Sequence, residues 1–145
     1  MHQGSCLCGS IRYVIDDNLK FIVNCHCRFC RKAHGAAFTT LLFMPLARFT
    51  VTQGQELLAS YEIKALDATR CFCSRCGTRL YNYAPSRGMI SLVVASLDVD
   101  VALHPIAHFN VESKSSWYSI ADGLPQFSST PGPAEFAKLR GGLKV

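Results

Sequence analysis

Residues 71–77 read Cys71-Phe72-Cys73-Ser74-Arg75-Cys76-Gly77, three thiols within six positions followed at once by a glycine. A Cys-x2-Cys turn lets two sulfurs approach one ion while backbone N–H groups point at them. The glycine after the second cysteine permits the tight backbone that such a knuckle needs. Working outward, Cys25-His26-Cys27-Arg28-Phe29-Cys30 repeats the Cys-x-Cys-x2-Cys spacing, and Cys6-Leu7-Cys8-Gly9 repeats Cys-x-Cys with its glycine. In an extended segment, Cys-x-Cys places two side chains on one side of the chain. That suits a shared metal and makes an intramolecular disulfide strained. All eight cysteines fall in these three groups.

The opening residues Met1 to Cys6 lack a basic segment followed by an apolar one, so no secretory signal is expected and the chain is read as cytoplasmic. In a reducing compartment, clustered cysteines serve metal binding or redox chemistry rather than disulfides. Cys-only sites also admit iron or cadmium, but zinc is the expected ion. No stretch reaches the roughly 18 to 20 apolar residues of a membrane span. The chain's 145 residues, 49% of them hydrophobic, suit one domain spanning 1–145 with a sizeable core.

The charge of +5 has two readings. It could attract an anionic partner, nucleic acid included. Alternatively Arg28, Arg31, Lys32, Arg70, Arg75 and Arg79, each close in sequence to a cysteine, offset the negative charge of zinc–thiolate sites. The sequence has no basic run and no aromatic–basic stripe, so nucleic acid is not the expected partner.

Period-two alternation predicts strands over 11–15, 20–24, 36–44, 48–52, 58–63, 79–83, 89–97 and 108–112. Residues 28–34 predict a short helical turn ending at Gly35. Residues 133–140 predict the best helix, with Pro133 at its first position and Gly141-Gly142 as its stop. The pattern argues for a mainly β domain of short antiparallel strands with a short C-terminal helix.

Two metal sites must then be assembled from a pair and two triplets. One could combine Cys6, Cys8, Cys73 and Cys76, joining the N-terminus to the middle of the chain. The other is then Cys25, Cys27 and Cys30, with Cys71 left over. If Cys71 is its fourth ligand, that site is closed and structural; if not, it keeps an open, catalytic position. Cys71 and Cys73 on one strand face the same side, roughly 6.5 to 7 Å apart. Cys71 could therefore also lie near the first zinc, or be buried as a small hydrophobe.

Gly4-Ser5-Cys6-Leu7-Cys8-Gly9-Ser10-Ile11-Arg12-Tyr13, the Cys25–Arg31 segment with Gly35 and Phe38, and Phe72-Cys73-Ser74-Arg75-Cys76-Gly77-Thr78 are similar to three successive motifs of one family. Ser96-Leu97-Asp98, Pro105, His108, Ser113-Lys114, Trp117, Asp122-Gly123-Leu124-Pro125 and Phe127 resemble its C-terminal half. This is the glutathione-dependent formaldehyde-activating enzyme family, which also holds centromere-protein-V-like chains. The resemblance runs from about residue 4 to 127. It implies a zinc-stapled β-tent fold, shared with a zinc-containing guanine-nucleotide-exchange accessory protein. It implies a structural zinc on Cys6, Cys8, Cys73 and Cys76, and a catalytic three-cysteine zinc on Cys25, Cys27 and Cys30; Cys71 matches no ligand of the family pattern. It also implies carbon–sulfur lyase or synthase chemistry on a glutathione–formaldehyde adduct, with glutathione as co-substrate. The alternative reading is a non-catalytic zinc module that binds protein or nucleic acid. Thiol redox chemistry by the Cys25–Cys30 segment lacks the βαβ context it would need.

Other residues carry paired readings. Lys114, Trp117 and Arg28 could line a pocket for glutathione, or be a solvated lysine, a packed tryptophan and a charge-offsetting arginine. His26 could move a proton near the zinc, or face away from it, since its neighbours Cys25 and Cys27 point the other way. His34 could be a fourth ligand or an exposed helix-end residue. His104 and His108 read as strand-edge or core residues, and Asp122 as turn chemistry.

Overall fold

A computed structural model of the chain describes residues 1–99 and 103–141. The chain divides into two compact units, Met1–Leu19 with Leu42–Ala102, and Lys20–Leu41 with Leu103–Val145. The described part is mainly β.

In the first unit, β1 (His2–Ser5), β2 (Arg12–Ile15) and β5 (Phe49–Gln53) form a three-stranded antiparallel sheet in the order β1-β2-β5. A second set of strands runs β4 (Thr39–Pro45), β9 (Met89–Val93), β8 (Arg79–Ala84), β7 (Ala68–Cys73) and β6 (Leu58–Ile63), antiparallel from β9 to β6. In β2 the alternation puts Tyr13 and Ile15 inside while Arg12 and Val14 turn outward. Leu42, Met44, Leu80, Ile90 and Leu92 complete this core without exposure. Two hairpins use one device, a short 3-10 turn closed by a left-handed residue, Asp67 before β7 and Gly88 before β9.

Gly4 shows how closely β1 sits on this core. It pairs with Tyr13, and a Cβ at Gly4 would stand 2.2 Å from the Tyr13 ring and 2.6 Å from the Ser96 carbonyl oxygen. The ring cannot retreat easily, because Tyr13 is buried and its hydroxyl sits 2.6 Å from Ser96 Oγ. Overpacking of this kind costs about 2 kcal/mol. Gly4→Ala is expected to lower the melting temperature of metal-replete protein by about 5 °C, read by circular dichroism. An unchanged melt would show that β1 lifts away freely.

The second unit runs β10 (His108–Phe109), β3 (Ile22–Cys25) and the first residues of β4. β10 and β3 are parallel, and His108 makes a further parallel bridge to Gln126. Every residue of β3 is buried, which suits a strand covered on both faces. Helix α1 (Arg28–His34) follows β3. Its end is set by Gly35 at φ 60°, whose N–H bonds Arg31 O. Helix α2 (Pro133–Gly141) attaches through Phe136, whose ring lies 4.6 Å from Phe21 and 6.2 Å from Phe109.

The fold class read from the sequence holds, with shifted element ends. The expected strand 89–97 stops at Val93, because Val94–Ser96 is a turn in which Ser96 Oγ bonds Val93 O. The strand 108–112 stops at Phe109, because Asn110 is left-handed at φ 60°. The strand 36–44 begins only at Thr39, after the N–H of Ala36 has bonded back to Arg31 O beyond the helix end. The strand 20–24 begins at Ile22, after Asp17 accepts from the N–H of a left-handed Leu19. β1 carried no alternation signal, because Gly4 replaces an apolar side chain on its inner face. Gly141, expected as part of the stop, is itself the last described residue of α2; Gly142 lies outside the described residues.

Candidate metal centres

None of the eight cysteines is disulfide-bonded. Seven converge in two groups, Cys6, Cys8, Cys73 and Cys76 in the first unit and Cys25, Cys27 and Cys30 in the second. Within each group all sulfurs lie within 4.8 Å of one another.

The four-sulfur group is built by two facing turns. Gly9 N–H bonds Cys6 O at 2.8 Å, and Gly77 N–H bonds Cys73 O at 2.8 Å. Gly77 holds φ 75°, a conformation that disfavours side chains with a Cβ. The Sγ atoms of Cys6 and Cys8 are 3.5 Å apart, and those of Cys8 and Cys73 are 3.9 Å apart. Four thiolates about 2.3 Å from a tetrahedral ion have sulfurs about 3.8 Å apart, so this spacing fits zinc. Donors also aim at sulfur: Ile11 N–H to Cys6 at 3.2 Å and the Thr78 hydroxyl to Cys76 at 3.2 Å. The Thr78 hydrogen bond holds the Cys76 thiol down at about 5, whereas burial lifts Cys73 to about 11. Four crowded sulfurs cannot all ionise unless a cation lies among them.

The three-sulfur group sits where β3 runs into α1. Cys27 is the N-cap of α1, its sulfur accepting from Cys30 N–H at 3.3 Å. Cys25 accepts from Asn110 Nδ2 at 3.4 Å. The Cys25 thiol is pushed up to about 11, first by its hydrogen bond with Cys27. Cys30 is raised as well, first by Cys25 and then by Cys27. This donor set also fits a thiophilic ion, and among the described residues no fourth His, Cys, Asp or Glu joins it. An ion held there would keep one coordination position for an outside ligand.

Cys71 belongs to neither group. It is buried against Tyr81, and burial raises its thiol. His34 ends α1 and stands outside the three-sulfur group; His104 is exposed. Lys114 is half-buried, its ammonium donating to the carbonyls of Ser115 and Tyr118. Trp117 is 73% exposed and Arg28 is exposed. Arg31 donates to Ser115 Oγ at 2.9 Å, and Arg75 to Ser10 Oγ at 2.9 Å, so both charges are held by neutral partners near the sulfurs.

His26 is fully buried, with Nε2 2.8 Å from His108 Nδ1. Burial, with His108 adding to it, depresses its pKa to about 4, so the ring is neutral near pH 7. Asp122 makes its turn bond to Leu124 N–H and also meets His108 Nε2 at 2.9 Å. No local pattern signalled that these three would join, or that Asn110 would reach Cys25. Asparagine in the left-handed region is recognisable only once the backbone is known.

The family model described as glutathione-dependent formaldehyde-activating enzyme matches residues 1–113. A curated relative from Halomonas elongata that bears the same family name is 30% identical over 125 residues, covering 81% of this chain and 80% of the relative. A crystal structure of a Rhodobacter sphaeroides protein superposes with TM-score 0.58 at 25% identity, covering 69% of this chain and 91% of that one.

Proposed function

Because the chain belongs to the glutathione-dependent formaldehyde-activating enzyme family, we propose that it is a zinc-dependent carbon–sulfur lyase or synthase acting on a glutathione–aldehyde adduct of the S-hydroxymethylglutathione type. The observation that carries this reading is the asymmetry between the centres, four sulfurs in one and three in the other. Cys6, Cys8, Cys73 and Cys76 would hold a structural zinc, and Cys25, Cys27 and Cys30 a catalytic one. The catalytic zinc would supply a site where the substrate thiol is kept as thiolate, the nucleophilic form.

In the forward direction the glutathione sulfur adds to the aldehyde carbon and one carbon–sulfur bond forms. The carbonyl electron pair moves to oxygen, and oxygen takes up the proton the thiol gave up. The protein's own part is to hold the three sulfurs. Asn110 N–H fixes Cys25, and Cys30 N–H fixes Cys27. Trp117 and Arg28, exposed, together with Lys114, are the residues we assign to glutathione; Arg28 and Lys114 would meet its carboxylates and Trp117 its peptide plane. Among the described residues no helix is long and apolar enough to cross a membrane. The proposal includes a β-tent fold over 1–145 as one domain and a cytoplasmic setting.

X-ray absorption at the zinc edge tests the reading. Without thiol, the two zincs are expected to average about 3.5 sulfurs each, rising to about 4 on adding glutathione. A spectrum that shows four sulfurs per zinc from the outset and ignores glutathione would overturn it.

A further inference from the structure

Three side chains of the second unit form an unbroken hydrogen-bonded series. His26 Nε2 lies 2.8 Å from His108 Nδ1, and His108 Nε2 lies 2.9 Å and 3.1 Å from the two oxygens of Asp122. Both rings are fully buried, while the carboxylate is about half exposed, at 46%. An ionised carboxylate only accepts hydrogen bonds. The hydrogen of a neutral His108 is therefore on Nε2, its Nδ1 accepts, and His26 must donate from Nε2. The partners assign this order of hydrogens. It leaves His26 Nδ1 as a lone-pair nitrogen, buried and without a partner, in a ring whose centroid lies 5.1 Å from that of Phe38 and 6.0 Å from that of Tyr118.

His26 is the single residue between two sulfur-bearing ones. Its backbone N–H bonds Phe109 O at 2.9 Å, and its ring supplies the other tether, through His108 to the turn at Asp122. The two tethers together fix the position of His26, backbone by Phe109 and ring by His108, and so limit the movement of the segment that carries Cys25 and Cys27.

We propose that Asp122 and His108 are positioning residues for the three-cysteine centre: the carboxylate fixes both histidine tautomers, and the anchored His26 ring holds the Cys25–Cys27 segment so that its two sulfurs converge. This rests on the metal reading of that centre given above. Groups bonded directly to a metal ligand govern affinity by about 10- to 100-fold; acting one backbone step further away, this series is expected to reach the lower end, about tenfold.

The test compares wild type, Asp122→Ala and Asp122→Asn, each loaded with zinc alone, for release to a chromophoric chelator. The phase missing from Cys30→Ser protein reports the three-cysteine centre; the other phase, from the four-cysteine centre, is the internal control. Asp122→Ala is expected to speed the first phase about tenfold and leave the second unchanged. Asp122→Asn, which keeps an acceptor oxygen, is expected to stay within about threefold of wild type. Nitrogen-15 shifts are expected to show His26 as the Nε2–H tautomer in wild type and as a tautomer mixture in Asp122→Ala. An unchanged first phase, equal acceleration of both phases, or an Nδ1–H tautomer in wild type would each overturn the proposal. Wild-type protein with no zinc at the three-cysteine centre would overturn the metal reading and this proposal with it. The tautomer measurement, which needs no metal, would still show whether the histidine series itself is formed.

Discussion

With zinc held by Cys6, Cys8, Cys73 and Cys76 as proposed, its removal by exhaustive chelation is expected to unfold the first unit. The four sulfurs tie a turn at the start of the chain to one between β7 and β8, Cys8 and Cys73 being 65 positions apart. Structural zinc sites contribute about 10–16 kcal/mol in small domains, against a net stability of about 5–15 kcal/mol for a whole domain. Losing the ion removes that contribution and leaves four crowded thiols, with Cys73 buried where charge is disfavoured. Cys76→Ser should act in the same direction, since it deletes the sulfur whose thiolate is most favoured by its donors. The measurement is the far-ultraviolet circular dichroism melt, run alongside zinc quantitation. The expected result is loss of the cooperative transition as the last equivalent leaves. A metal-free protein with an unchanged melt would refute the stapling role.

The second large effect separates the two centres. On the proposed reading, Cys30→Ser is expected to keep the fold and one tightly held zinc while losing turnover of the glutathione–formaldehyde adduct by about 10³-fold or more. The estimate follows from the several kcal/mol that a metal contributes to a reacting group, at 1.36 kcal/mol per tenfold in rate. Cys30 is buried and lies within one helical turn of Cys27. A serine fits the space but does not supply the soft thiolate that zinc prefers. Zinc stoichiometry, the melt and product formation by nuclear magnetic resonance report the three parts. Unchanged turnover with half the zinc would move the chemistry away from these cysteines.

Period-two alternation made the mainly β class readable, and cysteine intervals of one and two residues made metal binding readable; spacing left the pairing of the cysteines open, and the division into a four- and a three-sulfur group is what the family resemblance implied. The α1 boundaries were readable for a similar reason, Gly35 being a local stop. What escaped the sequence depended on partners far along the chain. Cys71 stayed ambiguous because its environment is set by Tyr81 across a hairpin. His108 and Asp122 each had an ordinary local reading, and Asp122 does make its turn bond. Their second role arises from the parallel pairing of β10 with β3, which no local pattern encodes. Trp117 stands in solvent because its loop turns it outward, and aromatic character alone carries no information about direction.

That parallel pairing also has a consequence for biosynthesis. Asn110, the donor to Cys25, follows it by 85 positions. At a ribosomal pace of about 5–20 residues per second, the early thiols wait roughly 4–17 seconds for their bracing. During that interval they are unshielded nucleophiles on a nascent chain, open to oxidants and to stray soft metals. A thiol-reducing environment at the point of translation would keep them intact until Asn110 emerges.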